Sequence, residues 1–422
     1  MHINSLKTYQ ICPPYCDFNS LILARYHGSA MQKRTIYVIT TNTGLEGIGE
    51  SIGETPESDS LCEKFIGTSP FDWINSEEDL ALNMACYDLM GKSLGLPAWK
   101  LIGPQFRKWI PVAAWTVAQE PAAMAEEVKY AAQKGYTWIK YHVDEMQDVV
   151  AQTEAMQKVS PPNFKVHFDF NANSNYYTMR PILEELCKFS IAGRFEDVVL
   201  GTDEDAYRML REQCPLPIIG HHVPAEAITK RYVDGIIAGH APIGKAIKTA
   251  AIAERLNTPL MYQQTGGIIN QAFLAHEVAV FKMATIDHVN CCHLWDRDIV
   301  KEEMPITNGS VLVPNKPGLG VTLDREKLES LRITKPQEKG RFLIQITLNE
   351  ETIGYTRHDP ESHGSTDNLR FSERLHKNGL PGRSASYNNP IITQFWDKEK
   401  DPENFDTIWE KTASGPFWTV KE

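Results

Sequence analysis

The chain has 422 residues, of which 42% are hydrophobic and 23% charged, a composition typical of a folded protein and long enough for a large domain plus a smaller one. Its formal net charge of −11 argues against nucleic acid or an anionic membrane as a partner, because both require clustered Lys and Arg. A small molecule is therefore the expected partner. The eight cysteines include no paired CxxC motifs, which favours reduced thiols. The sequence shows neither a basic-apolar leader nor a long apolar run, so a cytoplasmic location is expected.

The first hundred residues predict a mixed α and β module. SLILARYH, TIYVITTNTG and LEGIGES alternate in the way typical of strands, and NTG offers a turn before the last of them. From Glu77 to Leu94 the apolar residues recur at helical spacing, and Gly95 followed by Pro97 predicts the end of that helix. An α+β domain over residues 1–108 follows from this pattern.

From Trp109 onward, short apolar strands alternate with amphipathic helices, which is typical of βαβ units and a parallel sheet. The eight predicted strands are WIPVAAWT, TWIKYHV, FKVHFDF, AGRFEDVV, PIIGHH, GIIAGH, TPLMYQQ and DHVNCCHLW. Helices predicted between them include PAAMAEEVKYAAQKG, KAIKTAAIAERLN and QAFLAHEVAVFKMAT. Eight parallel strands close a barrel, so the predicted fold class is α/β, a (β/α)₈ (TIM-like) barrel over residues 109–304 with an α+β capping domain.

Residues 335–422 form a polar, turn-rich extension. It contains four large apolar anchors, Trp396, Trp409, Phe417 and Trp418. Such residues favour packing on the body of the protein. The segment RFLIQITL is a candidate extra strand of the small domain. Two roles stay open for the extension, covering the pocket or serving an oligomer interface.

Polar residues collect at the carboxyl ends of four consecutive predicted strands. Because successive strand residues face opposite ways, four sets share a face: Lys140 and His142; His167, Asp169 and Asn171; Arg194 and Glu196; Gly220 and His222. This end of a barrel carries the reacting groups. A single polar residue there is as readily explained by solvation at a loop junction, but four consecutive strands favour a site.

Two carboxylates at one mouth, Asp169 and Glu196, repel each other unless a cation lies between them or one is protonated. A divalent metal is the simpler solution, and oxygen ligands favour Mg²⁺ or a similar hard ion. Such a metal stabilises the enediolate that forms when a substrate carboxylate loses its neighbouring α-proton. Lys140, desolvated beside the cation, would then have a lowered pKa and act as the base.

Three framework segments resemble the enolase superfamily, within its mandelate racemase and muconate lactonizing enzyme-like group. TIYVITTNTGLEGIGES is similar to the family's strand-turn-strand ending in Gly-x-Gly-Glu, and LALNMACYDLMGKSLGLPAWKLIG to its cap helix. ITNGSVLVPNKPGLGVTLD is similar to the segment that returns to the cap, here residues 305–334. The resemblance implies substrate enclosed between cap and barrel, and a homo-oligomer.

The resemblance also implies functional residues at the strand ends. The family's second strand ends in Lys-x-Lys, where this chain has Lys140 and His142, and both are candidate catalytic bases. Asp169 and Asn171 match the third strand's Asp-x-Asn, and Glu196-Asp197 matches the fourth strand's Glu-Asp. The expected roles are metal ligands for Asp169 and Glu196 and substrate binding for Asn171.

The fifth strand departs from the family, because His222 stands where a third carboxylate is expected, or His221 if the register slips by one residue. The resemblance implies Mg²⁺, but an imidazole ligand removes one negative charge and moves the preference toward Zn²⁺, Mn²⁺ or Fe²⁺. Alternatively, a protonated His222 pairs with both carboxylates and no metal is held. Both outcomes stay open.

The opposite side of the barrel departs as well. Racemase-like members carry a His-Asp dyad on the seventh and sixth strands, and here Gln263 and His240 occupy those places. Gln263 cannot transfer a proton and is a candidate substrate-binding residue. His240 is a candidate catalytic acid, or else a strand-end imidazole bonded to a loop carbonyl. In the cap, Tyr15 and Asn19 are candidate substrate-binding residues.

The leading hypothesis is a lyase or isomerase that abstracts the α-proton of a carboxylate substrate with metal assistance, such as an acid-sugar dehydratase or a racemase/epimerase. The alternative is a catalytically degenerate barrel that serves as a small-molecule-binding or structural subunit, which the changes at His142, His222 and Gln263 motivate. A third hypothesis is an enzyme with a histidine-rich metal site and different chemistry.

Overall fold

The computed structural model describes residues 1–54, 60–143, 147–172, 174–332, 334–338, 340–348, 352–358 and 391–420. Within these ranges the strands form three sheets: one of three strands, one closed sheet of nine, and one of four. Among the described helices there is none whose length and apolar character would suffice to cross a bilayer.

The first sheet and its helices form the cap. The antiparallel strands β1, β2 and β3 pair in chain order. Their bounds are Ile3–Ile11, Arg34–Thr41 and Glu46–Ile52. The cap helices are α1 (Ser20–Gln32), α2 (Ser60–Phe65), a 3₁₀ turn (Pro70–Trp73), α3 (Leu80–Leu94) and α4 (Trp99–Ile102). As predicted, α3 ends at Gly95, whose φ of 69° favours glycine.

One prediction in the cap is wrong. SLILARYH is not a strand but the start of α1, and β1 is the strand that pairs with β2. The apolar residues of this short segment fit a strand as well as a helix. Among the residues that follow it are Ala, Met and Gln, which favour a helix. Leu23, Ala24 and Arg25 are buried one after another where α1 packs on the rest of the protein.

The predicted (β/α)₈ barrel with an α+β cap is confirmed. Its strands are β4 (Trp109–Val117), β5 (Trp138–His142), β6 (Lys165–Asp169), β7 (Ala192–Glu196), β8 (Ile218–Gly220), β9 (Gly235–Gly239), β10 (Leu260–Gln263) and β11 (His288–Val289). All neighbours are parallel, and the sheet closes where His288 of β11 lies opposite Val112 of β4. An antiparallel strand, β12 (Ser310–Leu312), pairs with β4 from outside the closed ring.

Helices follow the barrel strands in the expected alternation. They are α5 (Pro121–Gln133), α6 (Val149–Val159), α7 (Tyr176–Leu186), α8 (Glu204–Gln213), α9 (Glu226–Lys230), α10 (Ile243–Arg255) and α11 (Ile268–Val280), with a 3₁₀ turn at Cys292–Leu294. After β12, helix α12 (Arg325–Arg332) returns to contact β1 of the cap. The carboxyl ends of the eight strands therefore open toward the cap, which places the predicted site between the two.

The C-terminal extension forms a sheet of its own. Strands β13, β14, β15 and β16 pair antiparallel in the order β15-β13-β14-β16. Their bounds are Phe342–Leu348, Thr352–His358, Ile391–Trp396 and Phe417–Val420, and α13 spans Phe405–Lys411.

RFLIQITL was predicted to extend the small domain, and that is wrong, because this segment is β13 at the centre of the separate sheet. Strand β13 has a partner strand on each edge, β14 and β15. Its side chains Leu343, Ile344 and Ile346 are fully buried, so the faces of the strand are covered as well. The predicted anchors Trp396 and Trp409 supply that cover in a small core of the extension itself.

Candidate active site

One buried cation, on β5, joins two carboxylates at the ends of β6 and β7. Lys140 Nζ lies 3.0 Å from Asp169 Oδ2 and 2.7 Å from Glu196 Oε2, and all three side chains are buried. Lys140 also donates a hydrogen bond across the barrel to Gln263 Oε1. Four side chains from four strands thus lie together. For three of them, Lys140, Asp169 and Glu196, the two-residue alternation of strands had predicted the shared face.

The charged groups in this cluster shift one another's pKa values. Burial and the neighbouring Glu196 raise the pKa of Asp169 to about 8. Burial opposes ionisation of Glu196 too, but Lys140 and His167 outweigh it and hold the pKa of Glu196 well below its usual range. The pKa of Lys140 is raised, because its two carboxylate neighbours outweigh burial. The protein groups alone therefore keep Lys140 protonated, opposite to the direction expected beside a metal cation.

His142 and Asn171 lie next to Asp169, as the shared strand face predicts. His142 Nε2 is 3.3 Å from Asp169 Oδ2, and its ring meets Trp115 edge-on at 5.1 Å between centroids. The backbone N–H of Asn171, in the left-handed region at φ 53°, donates to Asp169 Oδ1 at 2.9 Å. Both residues line the central cavity.

The structure places His221, not His222, beside Glu196. His221 Nδ1 lies 3.4 Å from Glu196 Oε1, whereas the His222 side chain is 62% exposed and lies 2.6 Å from Asp197 Oδ2. The reason is that β8 ends at Gly220, so strand alternation no longer sets the direction of the next two side chains.

Asp197 is a site residue that the sequence argument did not select. It is fully buried and accepts the backbone N–H of His221 at 2.8 Å. One oxygen each from Asp169, Glu196 and Asp197 lies within 4.8 Å of the others, and Asp197, His221 and His222 form a second such group. Its position directly after Glu196 was the available signal.

The donor set fits a hard cation. Three carboxylates converge, and oxygen ligands suit Mg²⁺. Both Oε atoms of Glu196 are buried, and the groups nearest to them are Lys140, His167 and His221, which a bound cation would join or displace.

His167 and Arg194 support Glu196 from inside the barrel. Arg194 Nε donates to His167 Nδ1 at 3.2 Å, and a guanidinium can only donate. His167 therefore carries its proton on Nε2, which lies 2.8 Å from Glu196 Oε2. Burial lowers the pKa of His167 to about 3, so it meets the carboxylate as a neutral imidazole.

On the far side of the barrel, His240 and Gln263 adjoin each other. The backbone N–H of His240, at φ 47°, donates to the carbonyl of Gln263 at 2.8 Å, and both side chains line the cavity. Burial lowers the pKa of His240, and His221 and Lys140 add to that shift. This places a neutral imidazole opposite Lys140.

Tyr15 and Asn19 do not reach the cavity. Tyr15 is 2% exposed and stacks on Trp295 at 6.3 Å between centroids. Asn19 is equally buried and donates to Glu127 Oε1 at 3.1 Å. The cap instead contributes Met31 of α1 and Ile52 of β3.

The cavity itself has a volume of about 400 Å³, enough for a small molecule. Its walls combine apolar cap residues with the polar strand ends. The lining residues are Met31, Ile52, Trp115, His142, Asp169, Asn171, His221, His222, His240, Gln263, Thr265, Val289 and Cys291. Trp115 and Thr265 were missed, since no motif distinguishes them from core residues.

Fold and site together define a class: a capped (β/α)₈ barrel with converging carboxylates at the strand ends. The family model described as "Enolase C-terminal domain-like" matches residues 123–327. The arabinonate dehydratase of Saccharolobus solfataricus is 26% identical over 259 residues, 57% of this chain and 68% of that protein. The N-succinyl-L-Arg/Lys racemase of Bacillus cereus is 27% identical over 305 residues, 66% of this chain and 77% of that protein.

Solved structures agree in fold. That racemase superimposes with a TM-score of 0.66 at 22% identity, over 79% of this chain and 99% of its own. The dipeptide epimerase of Cytophaga hutchinsonii, solved with Mg and a dipeptide, gives 0.65 at 20% identity, over 78% and 98%. The family model and these relatives support a protein similar to the mandelate racemase and muconate lactonizing enzyme group of the enolase superfamily.

Proposed function

We propose that this protein is a lyase that removes the α-proton of a small carboxylate substrate and dehydrates it, with an acid sugar as the preferred class. The observation that carries the proposal is the position of Lys140, which faces Asp169 and Glu196 in a small-molecule cavity. Its relatives support a lyase or isomerase, since they include arabinonate and D-xylonate dehydratases and a racemase.

The far wall of the cavity bears on the choice between dehydration, which we prefer, and racemisation. Racemisation returns a proton to the face opposite the one that lost it, and needs a second acid–base group there. Gln263 cannot supply one and already accepts a hydrogen bond from Lys140. His240 is the imidazole on that wall, and we assign it the role of acid toward the departing hydroxide, for which it must first take up a proton because burial lowers its pKa.

Asp169 and Glu196 would hold a Mg²⁺ ion, with Asp197 or His221 as the third protein ligand instead of the predicted His222. When bound, such an ion polarises the substrate carboxylate and stabilises the enediolate charge. Once the two carboxylates bind an ion, they would no longer stabilise the protonated form of Lys140, and its neutral amine would act as the base. His142, which also lines the cavity, is the second candidate base.

Several further predictions belong to this proposal. Asn171 and Gln263 remain candidate substrate-binding residues because both line the cavity. We retain the division into a cap (1–108), a barrel (109–304), a return segment (305–334) and an extension (335–422). A homo-oligomer and a cytoplasmic location also remain predictions.

The test is deuterium exchange at the α-carbon in D₂O with Mg²⁺ and a panel comprising arabinonate, xylonate, galactonate and gluconate, followed by mass spectrometry. We expect exchange and dehydration with wild-type protein, loss of both in Lys140→Ala, and little change in His222→Ala. No exchange with any acid while Mg²⁺ binds normally would favour the degenerate-barrel alternative.

A further inference from the structure

One strand of the C-terminal sheet contacts two barrel loops at the site end. Gln147, between β5 and α6, donates from Nε2 to the carbonyl of Thr393 at 2.7 Å, and both residues are buried. Gln394 donates from Nε2 to Oε2 of Glu120, the residue before α5, at 2.8 Å. Strand β15 thus holds the loops that follow the first and second barrel strands.

The same strand and its flanks hold α1 of the cap. Arg25 pairs with Asp397 Oδ2 at 3.0 Å with only 8% of its side chain exposed, and its guanidinium lies over the Phe342 ring at 4.8 Å. At the end of α1, Gln32 accepts the backbone N–H of Gln337 at 2.8 Å. The attraction between the two charges is screened by water less than in an exposed pair, and breaking the pair would leave Arg25 covered without its partner.

Phe395 connects these contacts to the cavity. Its ring packs against the apolar cluster that contains Trp115, and Met31 and Ile52 pack on the same cluster. Trp115, Met31 and Ile52 are all cavity-lining residues. Displacing β15 would therefore remove the support behind one wall of the cavity.

We propose that the C-terminal extension is a second cap that determines substrate size. By fixing α1 and the two barrel loops, β15 sets the position of Met31 and Trp115 and limits the length of the acid that fits. The family model ends at residue 327, before this sheet begins, so the second cap lies outside the matched region. The substrate class in this inference rests on the proposed function.

The experiment compares wild-type, Phe395→Ala and Asp397→Asn full-length proteins on arabinonate and xylonate against galactonate and gluconate. We expect Phe395→Ala to change the ratio of kcat/KM between longer and shorter acids by about tenfold, mainly through KM. Lys398→Ala, which removes the exposed Lys398–Asp406 pair of the same sheet, is the matched control and should leave the ratio unchanged.

Hydrogen exchange of α1 separates this inference from the proposed function. In Phe395→Ala and Asp397→Asn we expect faster amide exchange over residues 20–32, without any substrate present. Exchange equal to wild type would overturn the second-cap proposal even if the enzyme is active. Faster exchange with no turnover of any acid would instead count against the proposed function alone.

A different observation concerns two thiols at the other end of the barrel. Cys187 and Cys214 are the residues that end α7 and α8, and their Sγ atoms lie 3.7 Å apart. Both are half-buried, and neither lines the catalytic cavity. The contact with Cys214 lowers the pKa of the Cys187 thiol, which favours it as the attacking group.

We infer that these two residues form a dithiol site that a small-molecule disulfide oxidises. The Cys187 thiolate attacks one sulfur of the reagent, forming a mixed disulfide and releasing one reduced thiol. The Cys214 thiol then loses its proton and attacks Cys187 Sγ, forming the protein disulfide and releasing the second reduced thiol. The protein loses two electrons, and the reagent gains them.

The full-length protein is incubated with oxidised glutathione, its free thiols are alkylated, and peptides are mapped by mass spectrometry. We expect a Cys187–Cys214 linked peptide that dithiothreitol reverses, and a stable glutathione adduct on Cys187 in Cys214→Ser. If the wild-type protein yields no linked peptide while that variant remains folded and unmodified, the inference is wrong.

Discussion

Two buried clusters in this molecule each combine one cation with two carboxylates, yet they differ in what surrounds the carboxylates. In the cap-barrel cluster, Arg34 Nη1 lies 2.9 Å from Glu50 Oε2 and 3.3 Å from Asp298 Oδ2. Backbone N–H groups complete it, since Asn270 donates to Glu50 and Ile268 to Asp298. This cluster fastens β2 and β3 of the cap to the barrel.

The cluster at the proposed active site has the same charges but different partners. Lys140 pairs with Asp169 and Glu196, and the imidazoles of His167 and His221 lie beside Glu196. Within the described residues, only Asp169 of this triad accepts a backbone N–H, and Asp169 borders the 400 Å³ cavity. The difference teaches that backbone donors to both carboxylates make a structural joint, whereas a triad surrounded by side chains and open to a cavity can exchange a partner for a ligand.

The largest expected effect is on catalysis. Lys140→Met should reduce α-proton exchange by about 10²–10⁴-fold, because general bases contribute on that order. Arg34→Lys keeps a cation in the structural cluster and should retain most of the exchange activity. The measurement is the deuterium-exchange rate in both variants. Equal losses would mean that the two clusters do not differ in function.

Stability should show the opposite contrast. Arg34→Met leaves Glu50 and Asp298 buried without a cation, and we expect a loss of about 3–5 kcal/mol in the free energy of unfolding. Urea denaturation with and without Mg²⁺ measures it. Added Mg²⁺ should restore stability to Lys140→Met, whose carboxylates can take the ion, but not to Arg34→Met. Rescue of both variants would contradict the assignment of the metal site.

A smaller effect is expected from the residues behind Glu196. His167→Phe and Arg194→Met should weaken Mg²⁺ binding by about 10–100-fold, because they remove the fixed N–H that faces this ligand. Calorimetric titration with Mg²⁺ measures the affinity without any substrate. Unchanged affinity in both would show that the imidazole serves packing only.

The last prediction concerns a buried carboxylate that has no cation. Burial raises the pKa of Glu277 to about 8, and its partner is the Gln264 side chain at 2.7 Å. The folded state thus holds a proton that the unfolded state releases near pH 4.5, so stability should fall as pH rises from about 5 to 8.

The slope attributable to Glu277 is at most about 1.4 kcal/mol per pH unit. Comparing urea midpoints of wild-type protein and Glu277→Gln across that range measures it. The variant should show a flatter profile between pH 5 and 8, and identical profiles would contradict the prediction.

Parts of the site were accessible from sequence because they depend on local periodicity. Asp169 and Glu196 end their barrel strands and Lys140 lies two residues before the end of its own, and period-two alternation decides that they face inward with their neighbours. The same rule failed for His222, because it lies beyond Gly220, where the strand has ended. Alternation carries no information past the last paired residue.

The cap and the extension were less accessible. SLILARYH fits a strand or a helix over so few residues, and the packing of α1 beside β3 decides between them. Tyr15 and Asn19 were chosen from their place in a cap loop, but Trp295 and Glu127 hold them away from the cavity. Such choices depend on partners that are distant along the chain.

The sequence by itself determined the eight-stranded barrel, its cap and the strand-end carboxylates, because these follow from hydrophobic period and strand alternation within short windows. Only the tertiary structure decided that Lys140 pairs with two carboxylates, that His221 rather than His222 lies beside Glu196, and that β15 supports the cavity wall. Each of these depends on distances between residues far apart in the chain, which packing of the whole molecule sets.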